Sequence, residues 1–513
     1  MWLKIIMLVL FFGTMISVGL YCRRHATNVD GFVLGGRAVG PWLTAFAYGT
    51  SYFSAVIFVG YAGQFGWKFG LASTWIGLGN AFLGSLLAWV VLGRRTRIMS
   101  QQLNSATMPE FFGKRYGSPS LKIGASVIIF IFLIPYTASL YNGLSRLFGM
   151  AFHVDYTLCI VIMAALTGIY VIAGGYMATA INDFIQGLIM LVGIVAIIVS
   201  VLCQNGGFMA AYEALGDISD PSVSSMTGAF ISFLGPDPFN LFCVVILTSL
   251  GTWGLPQMVQ KFYAIKSESA ISKGTVISTA FALIVAGGCY FLGGFGRLYA
   301  HRVDVASQGF DAIIPAMLET LPVPLIGIIV VLVLSASMST LSSLVMASSS
   351  TLTLDFLKDH FIHDMDEKKQ LTVMRLLIVL FILISVILAI VQYQFNLAFI
   401  AQLMGVSWGA LAGAFLAPFL YGLYMKSVST AAVWVSFLFG SGVMTVNLFA
   451  RSLFPVWLQS PINCGVFSML AGLILVPMVS RFTPRPSQEI VRHAFAGYEQ
   501  NVMVSIRQAL GKK

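Results

Sequence analysis

Sixteen consecutive residues, Ser335 to Ser350, read SASMSTLSSLVMASSS and carry nine hydroxyl side chains. The residues before them, Ile326 to Leu334, are strongly apolar. Together they predict one membrane helix, over 323–352. Ser339, Thr340, Ser342 and Ser343 fall within about one helical turn, so hard oxygens gather on one face. Hard oxygen suits sodium better than a soft metal. Small polar residues also let membrane helices pack closely, and the helix alone leaves both readings open. A second candidate is Asp183, the clearest carboxylate in a predicted span. A charge at the centre of a bilayer costs about 3 kcal/mol on insertion scales, so such a residue points to function. Near a span's end it can instead cap a helix.

These residues need a membrane scaffold, and composition supplies one. The chain has 513 residues, 58% of them hydrophobic and only 9% charged, with a mean hydropathy of +0.89. A soluble domain carries about 25% charged residues. Thirteen apolar runs approach the roughly 20 residues a bilayer span requires. They are 2–22, 41–65, 70–93, 120–150, 155–175, 180–203, 237–259, 272–298, 323–352, 371–393, 396–424, 429–449 and 462–480. The expected fold is an all-α integral membrane protein. The first run has no small-residue cleavage site and Arg23-Arg24 behind it, so it reads as a retained helix.

The net charge of +10 bears on orientation, not on nucleic acid. Six of the 29 Lys and Arg fall on one set of alternate loops: Lys4, Lys68, Arg146, Arg297, Arg302 and Arg451. The other 23 fall on the opposite set, among them Arg23, Arg24, Arg37, Arg94, Arg95, Arg97, Lys114, Arg115, Lys261, Lys266, Lys368, Lys369 and the tail from Arg481. The positive-inside rule puts this larger set in the cytoplasm. The N-terminus is then outside and the C-terminus inside the cell membrane, which an odd number of spans satisfies.

The six cysteines are scattered, with no CxxC and no zinc-type Cys/His spacing, so free thiols are expected. No Walker loop, strand-borne GxGxxG or HExxH appears. Nothing points to an enzyme or to ATP-driven transport.

Three motifs then occur in register. Phe32-Val33-Leu34-Gly35-Gly36-Arg37 precedes Gly40-Pro41-Trp42. Thr107-Met108-Pro109-Glu110-Phe111-Phe112 precedes Arg115-Tyr116-Gly117, and Thr107-x-x-Glu110 also reads as a capping box. Gly174-Gly175-Tyr176-Met177-Ala178 leads to Asn182-Asp183-Phe184-Ile185-Gln186. In order and spacing, from about residue 30 to about 425, the chain resembles the sodium:solute symporter family of proline, pantothenate, monocarboxylate, iodide, sugar and sialic acid carriers.

The resemblance implies a leucine-transporter-type core of two inverted five-helix repeats, with substrate and ions near the midplane. Residues 1–40 would be a first helix and loop, 41–203 and 237–424 the repeats, 425–480 two peripheral helices and 481–513 a basic cytoplasmic tail. The first helix of each repeat should be broken, at Gly49-Thr50-Ser51 and at Gly251-Thr252-Trp253-Gly254-Leu255-Pro256. The family's main sodium site falls on the main-chain oxygens of Thr50, Phe53 and Ala336 and the hydroxyls of Ser339 and Thr340. A second sodium falls on Asp183, Ser339, Ser342 and Ser343.

Substrate candidates are Tyr52, Ser54, Ile57, Trp75, Tyr136, Thr252, Trp253, Gln257, Gln402 and Trp408. Proline carriers have an acid at the Tyr52 position, and the bacterial galactose carrier has polar side chains at Tyr52 and Ile57. This chain departs from both. A small, partly apolar organic anion or zwitterion, a monocarboxylate or amino acid, fits better. The implied function is sodium-coupled symport by a monomer in the lipid bilayer, with sodium ions and a small-molecule substrate as its only partners. A symporter for a sugar or sugar acid, a solute sensor without transport and a pore-only channel remain as alternatives. A channel needs a ring of selectivity groups along an open path, and here the polar groups form a compact cluster instead.

Overall fold

The computed structural model describes residues 2–23, 26–152, 155–221, 223–358, 361–362, 365–395 and 400–509. Arg24, the start of the expected 396–424 span and the last four residues of the tail lie outside them. The regular structure of the described residues is helical, with no strand beyond two isolated bridges. In chain order the main helices are α1 (Trp2–Cys22), α2 (Pro41–Tyr52), α3 (56–69), α4 (74–102), α5 (Met108–Tyr116), α6 (Pro119–Phe152), α7 (Tyr156–Gln204), α8 (Pro238–Gly254), α9 (Pro256–Ala264), α10 (Glu268–Gly293), α11 (Val323–Thr351), α12 (Glu367–Phe395), α13 (Ile400–Tyr424), α14 (Thr430–Ala450), α15 (Pro461–Phe482) and α16 (Gln488–Ala509).

Ten helices among the described residues are long and apolar enough to cross a bilayer, and the bent pair α8–α9 makes an eleventh. The thirteen expected runs do not reduce to thirteen straight spans, because several are interrupted. The α2 helix ends after 12 residues, where Phe53 turns extended (φ −85°, ψ 117°). Its continuation α3 opens with a π-helical stretch, Val56–Tyr61. Helices α8 and α9 meet at 48°. There Leu255 is extended, and Pro256 takes the first position of α9, where its missing N–H costs nothing. The α7 helix breaks at Gly175 (φ +57°), where a Cβ would lie 2.9 Å from the Phe32 carbonyl oxygen.

The most apolar stretches of α11 and α13 are 83% and 89% buried, whereas that of α1 is 22% buried. The hydroxyl-rich helix is therefore an inner strut of the bundle, and α1 faces outward. Helix α11 packs on α7, α6, α2 and α12, and α13 packs on α6, α14, α15 and the last turn of α8. The Phe32–Arg37 motif acts as a clasp at one end of these struts. Gly35 and Gly36 take positive φ, and the Arg37 guanidinium donates to the Ser105 carbonyl at 2.7 Å and the Tyr263 carbonyl at 3.4 Å. The Thr107–Glu110 box forms in part: Thr107 accepts from the Glu110 N–H at 3.2 Å, while the Glu110 carboxylate accepts from the Ala106 N–H, one residue before the cap, at 2.8 Å.

Candidate functional site

Breaking α2 at Phe53 ends its hydrogen-bond ladder and leaves carbonyls facing inward. Helix α11 answers with hydroxyls. The Ser339 hydroxyl donates to the Thr50 carbonyl at 3.0 Å and to its own helix at the Ala336 carbonyl, 3.1 Å. The Thr340 hydroxyl faces the Thr50, Phe53 and Ala336 carbonyls at 3.1, 3.4 and 3.1 Å. These five residues are almost completely buried. The Thr50 side chain is turned away, donating to the Phe46 carbonyl at 2.9 Å, so only its main chain joins the cluster. Three carbonyl and two hydroxyl oxygens converge, a hard donor set that fits sodium. The break lies at Phe53–Ser54, slightly later than the expected Gly49–Ser51, and that shift frees the Thr50 and Phe53 oxygens.

The second expected group assembles differently. Asp183 is fully buried in α7, but its neighbour is the ammonium of Lys261 from α9, 3.8 Å away. The same ammonium donates to the Ser343 hydroxyl at 3.0 Å. Ser343 also shares a hydrogen bond with Ser51 of α2, at 2.8 Å. Ser342 is turned back onto the Ser339 carbonyl, 2.9 Å away. Asp183, Ser339, Ser342 and Ser343 thus do not form a four-ligand cage in this arrangement, because a lysine stands between the carboxylate and Ser343. Lys261 is the residue sequence reading misplaced, assigning it to a cytoplasmic loop. Its side chain is 2% exposed.

The substrate candidates divide. Tyr52, Tyr136 and Trp408 form an aromatic group, with the Trp408 ring centroid 6.1 Å from Tyr52 and 5.8 Å from Tyr136. Ser54 and the Trp408 indole lie beside the Tyr136 hydroxyl without reaching hydrogen-bond geometry. The Tyr52 hydroxyl and both amide atoms of Gln257 are buried without a protein partner. Buried polar atoms of this kind cost free energy unless something satisfies them.

Thr252 and Tyr52 line a small cavity with Tyr48, Asn80, Gly84, Ser85, Met258 and Ser278. It is too narrow to hold a water molecule. Asn80 was missed by sequence reading, although a lone amide in the apolar 70–93 run was a usable signal. Its Nδ2 has no partner, and its Oδ1 accepts from Ser249 at 3.1 Å.

The other candidates point elsewhere. The Trp253 indole donates to the Leu83 carbonyl at 3.0 Å. Ile57 is packed in the core. Trp75 is 36% exposed and donates to the Phe233 carbonyl at 2.9 Å on the periphery. Gln402 lines a separate vestibule of about 760 Å³ with Gln64, Lys68, Asp237 and Arg451.

Comparison with known proteins gives the chain a family and a fold. The model of the sodium:solute symporter family matches residues 32–440. The osmoregulated proline transporter of Bacillus subtilis is 28% identical over 496 residues, covering 95% of this chain and 96% of the relative. Sodium/proline symporter 2 of Staphylococcus saprophyticus is 28% identical over 504 residues, covering 94% of each. Among solved structures, a Na+-coupled sialic acid symporter, substrate-bound and outward-open, superposes with a TM-score of 0.74 at 17% identity, covering 95% of this chain and 99% of that one. A nucleobase-cation-symport-1 family transporter in a closed conformation gives 0.51 at 15% identity, covering 90% and 97%. The structures show the fold, and the family model and the proline-carrying relatives make the chain a multi-pass secondary transporter with sodium as the coupling ion. With the family's model spanning most of its length, the chain belongs to the sodium:solute symporter family.

Proposed function

We propose that this symporter carries a small organic solute, a monocarboxylate or an amino acid, inward with sodium. The observation that carries the reading is the convergence of the Thr50, Phe53 and Ala336 carbonyls with the Ser339 and Thr340 hydroxyls. A sodium ion there would replace the hydroxyl protons as the positive partner of the carbonyls and tie α2 to α11. The tie holds the break in α2 in one shape, and Tyr52 and Ser54 lie immediately beside that break. Ion binding would therefore organise the substrate contacts of Tyr52, Ser54, Tyr136 and Trp408. Residues 41–203 and 237–424 would rock against each other as inverted repeats, with the breaks in α2 and between α8 and α9 at corresponding places. Each sodium moved inward adds about 2.3 kcal/mol of drive per 100 mV of potential. The asymmetry of Lys and Arg supports an external N-terminus and a cytoplasmic C-terminus.

Proline is the first solute to test, because the relatives named above carry it. Tyr52 argues for a less polar ligand, since an aromatic ring stands where proline carriers have an acid. Uptake into proteoliposomes under an inward sodium gradient, with labelled proline, short monocarboxylates, neutral amino acids, sugars and sugar acids, tests the reading. Sodium-dependent uphill accumulation of any one supports symport. Binding without accumulation would mean a sensor, and downhill flux alone would mean a channel.

A further inference from the structure

We infer that Lys261 is a built-in cation: its ammonium fills the position where a second sodium would sit, so the chain couples transport to one sodium rather than two. The inference rests on the sodium-symport reading and deepens it. Lys261 lies in α9, between Pro256 and Ala264, and every residue of that helix is buried. An ammonium in such a place requires a counter-charge and hydrogen-bond acceptors. Asp183 supplies the charge at 3.8 Å, and Ser343 supplies an oxygen at 3.0 Å. The Tyr176 ring faces the same ammonium, 5.1 Å from its centroid. A carboxylate, a hydroxyl and a π-face are what a small cation would take from this site. Lysine brings its cation covalently attached.

The arrangement also ties the two ion positions together. Ser343 is hydrogen-bonded to Ser51 at 2.8 Å. Ser51 follows Thr50, whose carbonyl faces Ser339 and Thr340. A fixed positive charge thus lies one hydroxyl away from the residue beside the sodium ligands. Its own carboxylate neutralises it, so the main site sees a closed pair rather than a free like charge. Replacing the lysine by an apolar residue of similar length would leave the buried Asp183 carboxylate alone. It would then take either a proton or a new cation, and in a titration at alkaline pH sodium is the one supplied.

The test counts sodium directly and needs no transported solute. Purified protein is titrated with ²²Na⁺, and the ions bound per chain are measured alongside the dependence of thermal stability on sodium concentration. Wild type is expected to bind one ion. Lys261→Met is expected to bind two, with its melting midpoint rising about twice as steeply with log sodium, because two linked ions stabilise the folded state. Adding Asp183→Asn to Lys261→Met should return the count to one. Adding Ser339→Ala and Thr340→Val to Lys261→Met should also leave one, held at the Asp183 position. Two ions on wild type would overturn the inference while leaving symport intact. One ion on a folded Lys261→Met protein would overturn it too. No sodium on wild type would instead sink the main-site assignment. If Lys261→Met does not fold, Lys261→Gln takes its place, and the wild-type count stands as a test by itself.

Discussion

Removing the two hydroxyls of α11 is the most direct test of the main ion position. The double substitution Ser339→Ala with Thr340→Val keeps nearly all the volume and deletes only the oxygens. Two of the five converging oxygens vanish, and the Thr50 carbonyl loses both of its hydroxyl partners, now at 3.0 and 3.1 Å. Contacts from a neutral dipole to a charged group contribute roughly 1.5–3 kcal/mol each. Losing two should weaken sodium binding by about 3–6 kcal/mol, or roughly two to four orders of magnitude in Kd. The fold itself should suffer less. Ala336 keeps its place in the ladder of α11, while the Thr50 and Phe53 carbonyls lose their hydroxyl partners, at a cost of about 1–3 kcal/mol each. Sodium affinity is read by titrating ²²Na⁺ or by sodium-dependent thermal shift, and folding by the melting midpoint in sodium-free buffer. A well-folded double mutant whose sodium Kd stays within about threefold of wild type would refute the coordination scheme.

Three further outcomes follow from other parts of the site. Asp183→Asn alone should lower the melting midpoint sharply, because it strands the Lys261 ammonium, and breaking a buried pair costs about 3–5 kcal/mol; a midpoint unchanged within error would mean that the Asp183–Lys261 pair adds nothing to stability. Trp408→Ala should raise the KM for whichever solute is carried while leaving ²²Na⁺ binding within a factor of a few, since Trp408 stands against Tyr52 and Tyr136 and not against the ion oxygens; equal losses in both would place it in the coupling path instead. Gly175→Ala should destabilise the protein by about 2 kcal/mol or more, from a positive φ and a Cβ set 2.9 Å from the Phe32 carbonyl oxygen, and a melt indistinguishable from wild type would show that α7 can straighten there.

The residues that were legible in sequence share one property: their chemistry is local to a segment. The hydroxyls of 335–350 announce themselves within two turns of one helix. Pro256 marks the start of α9, because a proline without an N–H favours a first turn. Thr107 and Glu110 box a helix start across three positions. Lys261 was not legible, because its partner is Asp183, on a distant helix. Counting charges by loop treats every lysine near a span's end as solvated. That holds for Lys266, which is exposed just past the end of α9, and fails for Lys261, five positions earlier. No periodicity separates the two. What separates them is the clasp formed by Val39 and Arg37, which pins the end of α9 against the bundle through the Lys266 N–H and the Tyr263 carbonyl. The last turns of α9 are thereby drawn inward, so the lysine that looks cytoplasmic in sequence reaches a carboxylate that looks solitary. Each alone is an expensive anomaly in a membrane bundle, and as a pair they bring a neutral unit to the wall of the ion site.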